Sequence, residues 1–346
     1  MKILYGVQGT GNGHITRAIE IIPYLKKHGD VDILLSGIQS DIDLPFKVKY
    51  RMEGMSFIFG KNGGVDIWKT FQKLNSKKLL KEINTIQMGE YDLIISDFEP
   101  VTAWAAIKAK KVSVGLSNQV ALLHPMAPMP EKTDLLGKLV LQYYAPTTYN
   151  YGFHFKSLDE NIFTPIIRRE VRELTISNDG HIAVYLPSYD DKRIISVLKS
   201  FKKVNWIVFS KHNKQSKHFK NISIYPIDKF HFIRILASSS GLLCNAGFGA
   251  CSEALFLKKK LLVIPMKNQF EQWCNSEMLQ SMGVSVINKL SKEHHLDLKR
   301  WLTNSQPIKV NYPDITEKII DTIVKNHAGK SKINIKRESE HYSIFQ

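Results

Sequence analysis

The chain opens with a strand, a glycine-rich turn and a helix: residues 2–20 read KILYGVQGTGNGHITRAIE. The apolar run Lys2–Val7 is typical of a buried strand, and apolar residues recur at helical spacing over Ile15–His28. Between them, Gly9–His14 allows the backbone to turn tightly and to approach a ligand closely, beside a helix N-terminus that attracts anions. This stretch therefore predicts the first unit of an α/β domain, with a ligand site at the turn.

The same alternation of strands and helices continues along most of the 346 residues, which predicts parallel sheets covered by helices on both faces. A long Lys-rich amphipathic helix is predicted over Ile67–Gln87. A Pro-rich stretch from about residue 118 to 170 interrupts the alternation, which resumes at His181–Leu186. A chain of this length suits two domains.

We therefore expect two doubly wound, Rossmann-like α/β domains that face each other across a cleft. The expected organisation is an N-terminal domain over 1–160, a linker over 161–175, a C-terminal domain over 176–310, a helix over 311–327 that packs back toward the first domain, and a basic, loosely ordered tail over 328–346.

The charge of the chain is strongly positive and unevenly distributed. Lys and Arg number 48 against 32 Asp and Glu, a net charge of +16. Residues 1–150 carry 18 basic and 14 acidic groups, and residues 151–346 carry 30 and 18. The excess suggests an anionic partner, which is a nucleic acid, an acidic membrane or a phosphorylated substrate. No RNP, helix-turn-helix or zinc-finger pattern is present, so we expect no nucleic-acid partner.

The cysteines and the hydropathy of the chain limit the cellular compartments in which we expect the protein. The three cysteines, Cys244, Cys251 and Cys274, show no CxxC spacing, which argues against a disulfide framework or a zinc site and fits a reducing cytoplasm. No stretch approaches the ~20 apolar residues of a membrane span. We expect a cytoplasmic protein. Peripheral contact with the inner face of an anionic membrane stays open, and the basic residues could instead be ordinary solvated charge.

Two polar residues follow strands in the first half of the chain. His14 stands at a helix start and can serve as a base near neutral pH, although it could instead cap or pack the helix. Asp97 ends the apolar strand Asp92–Ser96, and strand ends of an open α/β sheet meet at one rim. Asp97 could therefore hold the imidazole of His14, or it could cap the helix that begins near Pro100.

A second glycine-rich turn follows a strand in the other half. Residues 245–253 read NAGFGACSE and lead into a helix whose first amides can hold a phosphate. The strand Leu261–Ile264 is followed by Glu271, Gln272 and Asn275, and acid and amide groups of this kind suit sugar hydroxyls. Either segment could also be an ordinary solvated loop and helix start. The dinucleotide fingerprint is not favoured, because His14 stands where it needs a small residue.

In combination, these segments resemble the GT-B nucleotide-sugar glycosyltransferases. The likeness is greatest to the group that contains the lipid-linked muropeptide GlcNAc-transferase and the UDP-glucuronosyltransferase-like enzymes, and it spans nearly the whole chain. Gly9–His14 resembles that family's N-terminal loop, Asn245–Glu253 its donor motif, and Glu271-Gln272 with Asn275 its Asp-Gln-x-x-Asn element.

The resemblance implies a role for each of these residues. It implies that His14 is the base toward the acceptor and Asp97 its partner, that Glu253 binds the ribose, and that Glu271 and Gln272 contact the transferred sugar. The implied contacts to the diphosphate are Asn245, Gly247, Gly249 and Ala250. The implied acceptor side comprises Gly11, Asn12, Gly13 and Asn118.

Two residues depart from the family pattern. Asn245 replaces a His common in the glucuronosyltransferase-like members, so it acts as a neutral donor or has no such role, and Glu271 replaces Asp. The implied activity is inverting transfer of a sugar from a UDP-sugar to a hydroxyl of a cell-envelope glycan, lipid or lipid-linked acceptor. Neither a cofactor nor a metal is expected. A UDP-sugar 2-epimerase on the same scaffold and a non-catalytic nucleotide-sugar-binding protein remain as alternatives.

Overall fold

The computed structural model describes residues 1–37, 43–55, 76–131 and 134–330 of the chain. They form two seven-stranded sheets, one from each half. The first has the order β3-β2-β1-β4-β5-β6-β7 and the second the order β10-β11-β9-β8-β12-β13-β14.

The first sheet is entirely parallel. Its strands are β1 (Lys2–Gln8), β2 (Asp30–Ser36), β3 (Tyr50–Met52), β4 (Leu93–Asp97), β5 (Val114–Ser117), β6 (Tyr149–Phe153) and β7 (Ile162–Phe163). Its helices are α1 (Asn12–Leu25), α2 (Ser76–Thr85), α3 (Pro100–Lys108), α4 (Asn118–Leu122) and α5 (Leu135–Tyr143), with a short 3₁₀ turn at Met88–Glu90.

The second sheet is parallel except at one edge, where β10 runs antiparallel to β11. Its strands are β8 (Ile182–Tyr185), β9 (Trp206–Ser210), β10 (Lys217–Phe219), β11 (Ile222–Pro226), β12 (Gly241–Cys244), β13 (Lys260–Val263) and β14 (Ser285–Val286). The helices of this half are α6 (Arg169–Arg172), α7 (Asp191–Leu198), α8 (Lys229–Ser238), α9 (Phe248–Phe256), α10 (Phe270–Ser281), α11 (His295–Asn304) and α12 (Thr316–His327), with a 3₁₀ turn at Lys292–His294.

Some elements within the described residues differ from the sequence-based expectation. The Pro-rich stretch contains β6 and β7, which add two strands to the first sheet and were not predicted. The helix predicted over Ile67–Gln87 is described only as α2 (Ser76–Thr85), since residues 56–75 lie outside the described part. The tail predicted from 328 onward also lies outside it beyond residue 330.

The last described helix returns to the first sheet. Ile319, Ile320 and Ile323 of α12 are buried in the same apolar cluster as Ile15 and Ile22 of α1. This contact joins the end of the described chain to the helix that carries His14, so α1 is held on one side by β1 and on the other by α12.

Two glycines in the first unit have distinct structural reasons. A Cβ at Gly6 in β1 would lie 2.7 Å from the Cβ of Thr102, so only glycine allows α3 to pack this closely on the strand. Gly11 has a φ of 94°, a left-handed conformation that favours glycine, and it immediately precedes the start of α1. No described helix is long and apolar enough to span a membrane.

Candidate active site

The loop after β1 and the end of β4 meet because the two strands are neighbours. Val7 lies opposite Asp97 in the parallel pairing, so the helix that follows β1 begins beside the last residue of β4. His14 lies in the first turn of α1 and is 9% exposed, whereas Asp97 is completely buried. The expectation that strand order brings these two residues to one rim therefore holds in the structure.

His14 and Asp97 form a direct contact. Nδ1 of His14 lies 2.8 Å from Oδ1 of Asp97. Since the carboxylate can only accept, Nδ1 carries the proton in this contact, and in the neutral imidazole Nε2 keeps the free lone pair. The imidazole is thereby held with its basic nitrogen turned away from Asp97.

Arg17 completes the cluster from the next turn of α1. Its Nε donates to Oδ2 of Asp97 at 2.9 Å, and its Nη2 donates to Oδ1. Nη2 also lies 2.9 Å from Nδ1 of His14, so two donors converge on one carboxylate oxygen. Burial by itself would raise the pKa of Asp97, but Arg17 and His14 outweigh it and hold that pKa below its usual range. Asp97 is therefore a fixed negative charge behind the imidazole.

The helix-capping role considered for Asp97 belongs to Glu99 instead. The carboxylate of Glu99 accepts from the backbone amides of Val101 at 2.8 Å and Thr102 at 2.6 Å at the start of α3. The hydroxyl of Ser36 also donates to it, at 2.6 Å. Asp97 is thus free of a capping role and contacts the base.

The second glycine-rich turn lies at the carboxyl end of β12, with Gly247 immediately before α9. A Cβ built at Gly247 or Gly249 would meet no described atom within 4 Å, and the same holds for Gly11 and Gly13 of the first turn. Packing among the described residues does not require these four glycines. No side chain caps the start of α9, so its first amides, including that of Ala250, are the kind of group that can hold an anion.

The side chain of Asn245 forms two hydrogen bonds within the second half of the chain. Its Nδ2 donates to the carbonyl of Ile264 at 2.8 Å, and its Oδ1 accepts from the hydroxyl of Ser188 at 3.0 Å. These bonds tie the ends of β12 and β13 to the loop after β8. Asn245 therefore links the turn to β13 and to the loop after β8, and its contact to the diphosphate stays a prediction.

Glu253 is bound by an arginine that the sequence analysis did not identify. Nε and Nη2 of Arg168 donate to the two carboxylate oxygens at 2.6 and 2.7 Å, and both side chains are nearly buried. Arg168 precedes α6, and the backbone amide of its neighbour Arg169 donates to Glu20 of α1 at 3.3 Å. The carboxylate expected to bind ribose is thereby oriented from the segment between the two sheets.

Glu271 reaches across the cleft. It lies in the first turn of α10, and its carboxylate accepts from Nδ2 of Asn118 at 2.9 Å and from Nε2 of Gln119 at 3.0 Å, both in α4 of the first half. Asn118 also accepts from Arg17 at 3.5 Å. Polar contacts therefore run from Asp97 through Arg17 and Asn118 to Glu271.

Gln272 and Asn275 have their contacts within the second half. Oε1 of Gln272 accepts from the amide of Met266 at 3.0 Å, and Nδ2 of Asn275 donates to the carbonyl of Ala246 at 3.0 Å. Asn275 thereby links α10 to the glycine-rich turn. Within the described ranges, no three His, Cys, Asp or Glu side chains lie close enough together to hold a metal ion.

Comparisons with known proteins give the family and the fold of the chain. The sequence model of glycosyl transferase family 1 matches residues 1–305. The chain belongs to this family. It is a glycosyltransferase enzyme, and the family match favours sugar transfer over the epimerase reaction. No curated protein sequence matches the chain.

Solved structures of GT-B glycosyltransferases share the fold, which confirms the two Rossmann-like halves. MurG of Acinetobacter baumannii is 13% identical over 94% of this chain and 99% of its own, with a TM-score of 0.59. UGT89C1 of Arabidopsis thaliana complexed with UDP is 11% identical over 94% and 99%, also with a TM-score of 0.59. The glycosyltransferase SnogD of Streptomyces nogalater is 12% identical over 94% and 99%, with a TM-score of 0.54.

The site residues that the sequence analysis missed differ in how far the sequence points to them. Arg17 stands three positions after His14, on the same helix face, so helical spacing was sufficient to find it. Gln119 adjoins the predicted Asn118, but it lies on α4, a helix that was not predicted. Arg168 and Glu253 are 85 residues apart, and no local pattern relates them.

The buried pair of Arg168 and Glu253 predicts an asymmetric effect on stability. Arg168→Met leaves the Glu253 carboxylate buried without its partner, which should lower the free energy of unfolding by about 3–5 kcal/mol in urea denaturation. The double change Arg168→Met with Glu253→Gln should recover most of this loss. The matched control is Arg169→Met, since that side chain is 81% exposed. Equal destabilisation by the single and double variants would contradict the pairing.

Proposed function

We propose that this glycosyltransferase moves a sugar, with inversion, from a nucleotide diphosphate donor to an acceptor hydroxyl, and that the donor is a UDP-sugar. The observation that carries the proposal is the pair of open strand ends. At the end of the first sheet, Asp97 contacts both His14 and Arg17. At the end of the second sheet lie the first amides of α9, next to the glycine-rich turn. A proton acceptor and an anion site are the two groups that this reaction requires on opposite sides of the anomeric carbon.

In the proposed reaction, Nε2 of His14 takes the proton of the acceptor hydroxyl as its oxygen attacks the anomeric carbon. The negative charge of Asp97 stabilises the imidazolium that forms. Asp97 lies behind the imidazole and is completely buried, so it is not positioned as a nucleophile. A single displacement therefore follows, and the configuration at the anomeric carbon inverts.

The leaving group is the nucleotide diphosphate. The amides at the start of α9, around Gly247, Gly249 and Ala250, would stabilise its charge as the bond to the sugar breaks. Glu253, oriented by Arg168, would accept hydrogen bonds from the ribose hydroxyls. Glu271 and Gln272 would contact the hydroxyls of the transferred sugar. UGT89C1, one of the solved relatives, is complexed with UDP, which supports UDP as the nucleotide of the donor.

The acceptor would approach from the first half, past Gly11, Asn12, Gly13 and Asn118. We propose a hydroxyl of a cell-envelope glycan, lipid or lipid-linked molecule as the acceptor. Exposed apolar side chains on this half, among them Met126, Leu135 and Leu139, support an acceptor with an apolar part.

A basic surface on the second half supports peripheral contact with an anionic membrane. Residues 192–226 contain no Asp or Glu, and they carry nine basic side chains, all exposed. None forms an ion pair within 4 Å with an acid in the described ranges. We call these side chains the basic edge, since they surround α7 and the three strands β10, β11 and β9 on one side of the second sheet. They are Lys192, Arg193, Lys199, Lys202, Lys203, Lys211, Lys214, Lys217 and Lys220.

The catalytic role of His14 predicts a specific kinetic defect. His14→Ala should lower kcat by ~10²–10⁴, the usual effect of losing a general base, with little change in affinity for UDP. Release of UDP in the presence of acceptor measures the rate, and calorimetric titration measures the affinity. His28→Ala is the control, because His28 follows α1 and pairs with Asp321 away from the cleft. Turnover near that of the unmodified protein would rule out this role.

The basic edge predicts electrostatic membrane binding. The protein should sediment with vesicles of phosphatidylcholine and phosphatidylglycerol but not with vesicles of phosphatidylcholine alone, since each basic residue near an anionic surface contributes about 1 kcal/mol. The triple variant Lys202→Glu, Lys203→Glu and Lys214→Glu should lose this binding. The same three-charge reversal at Lys81, Lys309 and Lys318, which are exposed elsewhere, should retain much more of it. Equal binding by the two triple variants would show that the basic edge is not the docking surface.

A further inference from the structure

Gln119 touches the basic nitrogen of His14 as well as Glu271. Its Nε2 lies 3.4 Å from Nε2 of His14 and donates to Oε2 of Glu271 at 3.0 Å. An amide N–H is a donor, and Nε2 of His14 holds the free lone pair when Nδ1 donates to Asp97. In this structure, one amide group therefore covers the nitrogen that would receive the acceptor proton.

The other end of the same amide lacks a partner. Oε1 of Gln119 is buried and accepts no hydrogen bond from any residue in the described ranges. A buried acceptor left in this way is unfavourable, and an incoming hydroxyl group would satisfy it. Gln119 is thus held by its nitrogen alone, through contacts to His14 on one side of the cleft and Glu271 on the other.

Glu271 holds Gln119 through a hydrogen bond, and a ligand at Glu271 would change that bond. Its two carboxylate oxygens are occupied by Asn118 and Gln119, both from the first half of the chain. Each oxygen can accept a second hydrogen bond, and a sugar hydroxyl that donates there would share the negative charge and weaken the bond to each amide. A ligand at Glu271 would therefore weaken the hold on Gln119 without touching His14.

We propose that Gln119 is a positioning residue that couples the sugar subsite at Glu271 to the base at His14. Without donor, Gln119 covers Nε2 of His14. When the donor sugar donates to Glu271, Gln119 turns away from the imidazole, which leaves Nε2 of His14 accessible to the proton of the acceptor hydroxyl. The base becomes accessible only after the donor has bound, so the two substrates bind in order. The ordered binding of the two substrates rests on the proposed function, whereas the contacts of Gln119 do not.

Chemical modification of His14 tests the coupling without any substrate. Diethyl pyrocarbonate modifies neutral imidazole nitrogens, and mass spectrometry of the peptide that contains His14 gives its rate in the full-length protein. Gln119→Met keeps the length of the side chain but removes the hydrogen bond, and it should raise the rate about fivefold, the factor expected for one neutral hydrogen bond. Glu271→Gln should raise it to a smaller degree, because the amide that replaces the carboxylate holds Gln119 less strongly.

The control is Glu277→Gln, the same change on the same helix at a residue that forms no hydrogen bond to α4 within the described part of the chain. It should leave the rate of modification unchanged, and thermal melting of each variant checks that it is folded.

If Gln119→Met does not fold, the rate in Glu271→Gln alone tests the coupling. Equal His14 reactivity in the unmodified protein, Gln119→Met and Glu271→Gln would overturn the coupling, as would an equal increase in Glu277→Gln. Normal turnover in His14→Ala would instead remove the proposed base and leave the modification result intact, so the two failures are distinguishable.

Discussion

The buried carboxylate of Asp97 is the constraint on which the rest of the site depends. A charged carboxylate without solvent is strongly unfavourable unless charged and polar partners surround it. Arg17 and His14 supply these partners, and both come from the first two turns of α1. The position of α1 on β1, the glycine turn before it and the orientation of the imidazole are therefore linked to one charge at the end of β4. The packing of α12 on α1 fixes the same helix from its other side.

The two halves use the same local design for different chemical tasks. Each has a strand, a glycine-rich turn and a helix beside the cleft, and in each the turn glycines face open space. The first half adds His14 in contact with the buried Asp97, whereas the second has Glu253 on the helix that follows its turn and Glu271 at the start of α10. Arg168 and Glu271 join the halves, one near the linker and the other across the cleft. Changes at the donor side can thereby reach the base through only a few contacts.

The sequence was informative where a short-range rule applied. The contact between His14 and Asp97 could be predicted because strand ends of a parallel sheet share a rim, and this needs no knowledge of side-chain packing. The helical part of α1 followed from apolar spacing. Helical spacing also puts Arg17 on the face of His14, but Arg17 was not singled out, because its role became clear only with the carboxylate in place. The short strands β6 and β7 could not be predicted, because neighbouring prolines interrupt the sequence pattern typical of a strand. They are the last two strands on one side of the first sheet.

Contacts between distant segments were beyond sequence reasoning. Asn245 is predicted to contact the diphosphate, and the structure shows that its amide also bonds to Ile264 and Ser188, which only the spatial approach of three loops reveals. The same holds for the pair of Arg168 with Glu253 and for the hydrogen bonds of Glu271 with α4. These residues are typical of a ligand site by type, but their partners depend on how the two sheets face each other.

The stereochemistry of the reaction tests the central claim most directly. Slow hydrolysis of a UDP-α-sugar by the enzyme uses water as the acceptor, so it requires no knowledge of the natural one. Proton NMR in the first minutes identifies the anomer released before mutarotation. A single displacement by water activated at His14 predicts that the β-anomer appears first and that the reaction is lost in His14→Ala. Initial release of the α-anomer would contradict the account, because it requires a double displacement or a front-face mechanism that this arrangement of His14, Asp97 and Arg17 does not provide.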